Sequence, residues 1–340
     1  MAFAQLAVRE SLRDIEVCLA TQGQRRYHLG FRSPVARNTL ANANAVRPWQ
    51  IYADLAQHLI GIARPLYASE PIGLDLKEAV YAFDATTIDL CLSVYPWAPF
   101  RSSKAAIKLH TLLDVHGSIP SFIPISDGKT HEVTVLDALT PEPGAFYLFD
   151  RGYTDFARLH ALHEAGSFFL IRAKRGLRAK RRYSHPVDRV RTNVLCDQPV
   201  TLEVFYSRQG YPTALRRVVV RDAEGKRITF LTNHTALAPE TVGELYRLRW
   251  QEELFFRWIK QHLRIKAFFG TSENAVKTQI WIAVATYVLI AIVKKRANLP
   301  HSLYLLLQIP SLTMFETTPI NQPLTPPPPS TDDDQQLVLL

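Results

Sequence analysis

Three cysteines in 340 residues, Cys18, Cys91 and Cys196, are too few and too scattered for a disulfide framework or a zinc-ligand pattern. That scarcity suits a reducing cytosol. A membrane-spanning run is missing too. The most apolar stretch, Thr278–Val293, holds 16 residues without a charge, short of the roughly 18–20 that a bilayer requires. It reads as a buried core helix, and no membrane partner is expected. The opening residues MAFAQLAVRESLRD reach a charge by the ninth position, so no signal peptide is readable. Acidic residues are the scarcer sign: 31 Asp and Glu against 40 Lys and Arg give a formal charge of +9. That imbalance favours a polyanionic partner, nucleic acid or an anionic surface. With 47% hydrophobic and 21% charged residues the chain is globular rather than disordered. Its length suits one large core with an insertion or appendages. It carries no internal repeats.

The patterning divides the chain into six parts. Residues 1–73 read as helical, with apolar positions at helical spacing through Phe3–Ala20 and Ile51–Leu66. The pattern starts with no N-cap before Phe3, so this part is expected to be the end of a longer, truncated DNA-binding region. Residues 74–173 turn to strands (VYAFDATTIDLCLSV, AAIKLHTLLDVHG, SIPSFIPIS), with a hairpin turn at Gly117-Ser118. A helix at His131–Leu139, a strand at Ala145–Asp150, a helix at Asp155–Ala165 and a strand at Ser167–Ala173 follow. Three strands and then helix–strand–helix–strand make a mixed α/β sheet faced by helices. Residues 174–237 form a β-rich insertion with expected strands at Thr201–Tyr206, Ala214–Arg221 and Arg227–Thr232. Its entrance is strongly basic: residues 172–191 hold nine Lys or Arg against one Asp. Residues 238–300 carry two long helices, Pro239–Arg264 and Glu273–Ala297. A segment at 301–318 precedes a Pro- and Asp-rich tail, 319–340, expected to be disordered.

Two acids stand out by position. Asp84 interrupts the apolar strand VYAFDATTIDL, and Asp150 ends the strand AFYLF before an Arg-Gly turn. A lone aspartate at such a place is ordinarily a cap or half of an ion pair. The Pro239–Arg264 helix adds a third acid. Tyr246, Arg249, Glu253 and Lys260, at spacings of 0, +3, +7 and +14, form a polar stripe about 60° wide on an ideal helix. Glu252 falls outside that stripe and is expected to point away. An exposed helix would explain the stripe as an Arg–Glu pair, but this helix is apolar around most of its circumference. Two strand-end aspartates plus a helical glutamate suit hard divalent cations and phosphoryl transfer, for which two Mg²⁺ or Mn²⁺ ions about 3.5–4 Å apart are the common device. Arg249 and Lys260 would hold phosphates, with Tyr246 on phosphate or a displaced base. The basic run, with Arg175, Arg178, Lys180, Arg181 and Arg182, reads as a DNA-phosphate surface. His131-Glu132 can touch the site or merely cap a helix, and His160 and His163, without a third ligand, are no metal pair. Asp89, at an odd offset from Asp84, is expected on the other face.

DATTIDL at 84–90, FDRGY at 149–153 and YRLRWQEELFFRWIK at 246–260 resemble the DDE transposases of bacterial insertion sequences. More narrowly they resemble the insertion-sequence-four family, whose Tyr-x2-Arg-x3-Glu-x6-Lys signature matches without a gap. The resemblance covers roughly residues 5–318. It implies a ribonuclease-H-like core interrupted by a β-rich insertion, with Asp84, Asp150 and Glu253 as metal ligands. It also implies cleavage at element ends, a hairpin intermediate, and strand transfer into target DNA. A DNA-induced dimer in the bacterial cytoplasm, associated with the nucleoid, belongs to the same implication. Tyr246, Arg249 and Lys260 become end contacts, and Lys104, Lys108 and His110 in SSKAAIKLH resemble a basic DNA-contacting strand, although exposed lysine also protects sheet edges. Better-known members stack a flipped base on an insertion tryptophan. This insertion has none, leaving Tyr183, Phe205, Tyr206 or Tyr211 to supply the ring. The rival readings are a nuclease that cuts without joining and a truncated remnant that only binds DNA.

Overall fold

A computed structural model describes residues 2–313 except 24 and 29. The expected disordered tail at 319–340 and residues 314–318 lie outside the described residues. Five helices open the chain: α1 (Ala2–Leu6), α2 (Leu12–Ala20), α3 (Arg25–His28), α4 (Arg37–Val46) and α5 (Gln50–Tyr67). Helix α5 buries Ala53, Ala56, Ile60, Ala63 and Tyr67, the stripe that helical periodicity demands. The alanines let it lie close against a later helix, Glu273–Arg296.

The sheet begins with β1 (Val80–Leu90), β2 (Pro99–Arg101), β3 (Lys104–Asp114), β4 (Ile119–Phe122) and β5 (Ile125–Asp127). Gly117 and Ser118 both take positive φ, 76° and 57°, as the hairpin between β3 and β4 requires. Gly117 is doubly constrained, because a Cβ there would sit 2.1 Å from the Tyr67 ring. Next come β6 (Phe146–Phe149), α6 (Phe156–Glu164) and β7 (Phe168–Arg172). Residues 132–138 form a 3₁₀ segment rather than an α-helix. β1 pairs antiparallel with β3 and parallel with β6, and β6 pairs parallel with β7. With β4 and β5 on the far side of β3, this is the strand order and direction of a ribonuclease-H-like core.

The insertion is not a separate layer. It contributes β8 (Ala179–Arg181), β9 (Val194–Leu202), α7 (Phe205–Gly210), β10 (Leu215–Arg221) and β11 (Arg227–Thr232). β11 pairs antiparallel with β7, so one sheet of eleven strands runs β2-β3-β1-β6-β7-β11-β10-β9-β8. The expected strand at Thr201–Tyr206 ends at Leu202, and Phe205 opens a helix instead. The alternation that makes a strand lies upstream, with Val194, Val200 and Leu202 buried.

The expected helix Pro239–Arg264 is two: α8 (Pro239–Arg247) and α9 (Trp250–His262). Helices α10 (Glu273–Arg296) and α11 (Leu303–Thr313) complete the chain. Ser272 caps α10 by accepting the Ala275 N–H, and Lys294, Lys295 and Arg296 sit at its negative end. By length and composition α10 would cross a bilayer, but it is mostly buried, packed against α5. Two cores result. One lies between the sheet and α5, α8, α9 and α10, and the other under α6, α7 and the 3₁₀ segment.

Candidate active site

β1 and β6 run parallel with Phe83 opposite Phe149, so the next residues, Asp84 and Asp150, emerge side by side. Val80–Phe83 are fully buried and Asp84 is the first residue of β1 to reach solvent. Both aspartates lie on the face covered by α8 and α9. The Tyr246 hydroxyl approaches Asp150 Oδ1 at 3.4 Å, and Arg249 Nη1 donates to Asp84 Oδ2 at 3.0 Å.

Between α8 and α9 the chain tightens without a proline or glycine. The N–H groups of Leu248, Arg249, Gln251 and Glu252 each reach back three residues to a carbonyl rather than four, which advances the helix phase beyond 100° per residue. Arg249 remains one turn before Glu253, and its Nη2 donates to Glu253 Oε1 at 2.7 Å. A single guanidinium thus bridges Asp84 and Glu253, and it also lies 5.9 Å from the centre of the Tyr246 ring. The phase change turns Glu252 inward, contrary to the sequence expectation. Its side chain is 0% exposed. The Asp84 N–H lies near enough to favour its charged form, but neither carboxyl oxygen has a hydrogen bond of normal geometry.

Burial dominates the electrostatics. It pushes Asp84 up to about 6, opposed by the Ala85 N–H and Arg249 and assisted by the carboxylates of Asp150 and Glu132. It pushes Glu252 well above the usual carboxylate range, with Asp84 and Glu253 adding to the rise. Tyr246 is raised to about 12, again chiefly by burial, so its hydroxyl keeps its proton at neutral pH. Tyr153 is buried among the same carboxylates and its hydroxyl has no partner. Glu132 lies near this group, paired with Lys108 at 3.2 Å.

The other sequence candidates scatter. Lys260 does not share the carboxylate cluster; its ammonium bonds the Thr86 hydroxyl and, at 3.0 Å, the Thr87 carbonyl on β1. Lys104 is exposed at the start of β3. Lys108 is tied to Glu132 and the Thr130 carbonyl. His110 corrects its expectation as a surface contact: it is fully buried, bonded to Ser126 at 2.8 Å, and held neutral by burial, which lowers it to about 4. Strand β3 is covered on both faces, so alternation offers that histidine no way out. Arg178, Lys180, Arg181 and Arg182 lie in and beside β8 at the outer edge of the sheet, and Arg175 lies in the turn before them. Among the four proposed stacking rings, Tyr211 is buried under α6 and bonded to His163 at 2.7 Å. Tyr183, Phe205 and Tyr206 are exposed, all in the insertion. Sequence reasoning passed over Trp250, which is 51% exposed and lines an apolar cavity of about 400 Å³ with Tyr246, Arg247 and Arg249. Its signal was its position, immediately after Arg249.

Among the described residues no three His, Cys, Asp or Glu side chains converge as a ready-made metal cage. The donors nevertheless suit a hard divalent cation, since all are carboxylate oxygens. The space between Asp84 and Glu253 already accepts a positive charge, that of Arg249. Comparison with known families settles the lineage: the model of the transposase DDE domain matches residues 75–289. The chain belongs to the DDE transposase family. Its members are enzymes that act on DNA, generally with divalent metal ions. A domain of unknown function matches residues 1–32. A Sinorhizobium fredii protein bearing the transposase name y4zB is 31% identical over 255 residues, covering 74% of this chain and 70% of the relative. A Geobacillus stearothermophilus protein named as a probable transposase for insertion sequence element IS5377 is 33% identical, covering 61% of this chain and 54% of the relative. The chain therefore spans 70% of the first relative and about half of the second. A solved piggyBac transposase synaptic complex with hairpin DNA aligns at a TM-score of 0.41 and 14% identity, over 73% of this chain and 54% of that one.

Proposed function

We propose that this DDE transposase cleaves DNA strands at the ends of an insertion sequence and joins the freed 3′-hydroxyl groups to target DNA. The observation that carries this reading is that Asp84 and Asp150 emerge side by side from two parallel strands beneath a facing helix, where Arg249 bridges Asp84 to Glu253 and Tyr246 approaches Asp150. Asp84, Asp150 and Glu253 would hold one or two Mg²⁺ or Mn²⁺ ions, whose chemistry when bound is to activate the attacking oxygen and stabilise the leaving one. Arg249 neutralises two of the three carboxylates and is placed to exchange them for a phosphate, which a guanidinium grips with two parallel hydrogen bonds. Tyr246, protonated at neutral pH, donates toward Asp150 or a phosphate oxygen. Lys260, anchored on Thr86 and Thr87, holds DNA farther along β1. Trp250 and Tyr246 offer an apolar surface for an unstacked base, a role for which the insertion supplies no tryptophan. Two ends must meet for insertion, so the DNA-bound form is a dimer.

The test is Mg²⁺-dependent nicking and joining of a labelled duplex that carries the element's terminal repeat. Wild type is compared with Asp84→Asn, Asp150→Asn and Glu253→Gln. Cleavage and joined products in wild type, each lost by at least 100-fold in all three variants, are expected. Cleavage without joining would leave a nuclease. Binding alone would leave a DNA-binding remnant, and products that survive all three changes would refute the site.

A further inference from the structure

The insertion's strands have two faces with different fates. One packs Val194, Val218, Val220 and Phe230 under α8. The other is covered near its base, where Val200, Leu202, Leu215 and Leu231 lie in the core under α6 and α7. Beyond that base the second face is open. Pair register sets Arg217 beside Gln198, Val219 between Cys196 and Thr229, and Arg221 beside Arg227. Two adjoining cavities of about 880 and 550 Å³ lie on this face and share Cys196 and Arg227. Arg189 and Arg221 wall the larger one, and Arg151, Arg175, Arg217 and Lys226 the smaller. The floor of Val219, Thr229 and Cys196 is uncharged.

Charge in this groove is uncompensated. Asp222 is the one acid lining it among the described residues, and its Oδ1 accepts the Lys226 backbone N–H at 2.7 Å. Among the described residues no carboxylate pairs with Arg175, Arg217, Arg221, Lys226 or Arg227, although ion pairs occur elsewhere in the molecule. The half-buried Arg217 guanidinium donates from Nη2 to the neutral Gln198 Oε1 at 2.5 Å, while its Nε–H has no acceptor. Arg151, on the wall of the smaller cavity, directly follows Asp150 in the chain.

We propose that this groove, on the face of the sheet opposite α8, holds the sugar–phosphate backbone of the DNA that continues past the cleavage site. A chain of arginines over a neutral floor suits a linear polyanion, since each guanidinium can fork onto one phosphate without reading a base. The inference rests on DNA being the substrate. It assigns contacts to Arg151, Arg217, Arg221, Lys226 and Arg227, outside the basic run at 172–191.

Cys196 makes the test direct, because it lines both cavities. With Cys18 and Cys91 replaced by serine, Cys196 is alkylated with and without a saturating duplex of about 40 base pairs at low salt. At least tenfold slower alkylation in the presence of DNA is expected. In parallel, Arg217→Gln with Arg227→Gln should weaken binding about tenfold or more and reduce the slope of log K against log salt by about two. Lys294→Gln with Arg296→Gln, at the end of α10, provides the charge-matched control. Equal alkylation with and without DNA, or a groove pair that behaves as the control pair does, would overturn the proposal. If Cys196 is shielded while no strand is ever cut, the groove stands and the catalytic reading falls. If strands are cut while Cys196 stays fully reactive, the reverse holds.

Discussion

Glu252 sets the sharpest problem at the scale of single residues. A carboxyl with 0% exposure, carboxylate neighbours on two sides and no hydrogen bond of normal geometry loses hydration and gains little in return. Its folded-state pKa is raised, so the folded protein holds a proton that the unfolded chain releases above about 4.5. Stability from this residue is therefore fully present below that pH and is lost as pH rises through the folded pKa. Glu252→Gln keeps the shape and removes the titration. Its melting temperature should match wild type near pH 4.5 and exceed it increasingly toward pH 8. The scale is about 2–4 °C for each kcal/mol recovered in a chain somewhat smaller than this one. A variant that melts below wild type at pH 8 would show that the charged carboxylate is stabilising. Asp84, raised to about 6, has the same sign and a window from about 3.8 to 6, so Asp84→Asn should also gain stability as pH rises.

Among the elements, β9 and β10 are locked by Asp197 and Arg216. The guanidinium donates to both carboxylate oxygens at 2.8 Å and to the carbonyls of His234, Thr235 and Leu237, with both side chains almost wholly buried. Asp197→Ala strands a buried cation and should cost about 3–5 kcal/mol, read as a lower urea midpoint at unchanged slope. Adding Arg216→Met should recover most of that loss, because the pair's worth is small beside the penalty of a lone charge. A loss under about 1 kcal/mol would mean the edge strands relax around the arginine. Elements of this kind also mark what could be read in advance. Asp84 and Asp150 were legible because each interrupts or ends an apolar strand, and Arg249 and Glu253 because they lie one turn apart on either reading of the helix. The break at Leu248 and Arg249 was not legible, since Arg-Leu-Arg-Trp-Gln-Glu-Glu-Leu is uniformly helix-compatible and the turn is imposed by packing on β1. Glu252 was misassigned for that reason. Burial of His110 depends on β4, β5 and the 3₁₀ segment closing over β3, contacts that no local pattern carries.

For the whole molecule, the decisive fact is that an inserted segment continues the core sheet. Three registered pairs join β7 to β11, Phe230↔Arg172, Leu231↔Ile171 and Thr232↔Leu170, and both cores cross that seam: Phe230 belongs with α8 and α10, Leu231 with α6 and α7. A segment joined by hydrogen bonds alone could open independently, but one that shares two hydrophobic cores loses buried apolar surface on both faces if it leaves. At about 25 cal/mol per Å² of that surface, opening the seam costs much of what unfolds the core itself. Native-state hydrogen exchange in rising denaturant should therefore find the amides of β10 and β11 merging with those of β1, β6 and β7 in one isotherm. Helices α2 and α4, which pack on a small separate cluster around Ile15 and Leu19, should exchange at lower denaturant. An earlier isotherm for β9–β11 would make the insertion a hinged module. A rigid seam has a consequence for DNA: the groove on the far face and the carboxylates on the near face keep a fixed separation. If DNA lies in that groove as proposed, a strand held at Arg217 arrives at Asp150 in one register, and loosening the β9–β10 pairing with Asp197→Ala should blur the position of the cut before it slows cutting.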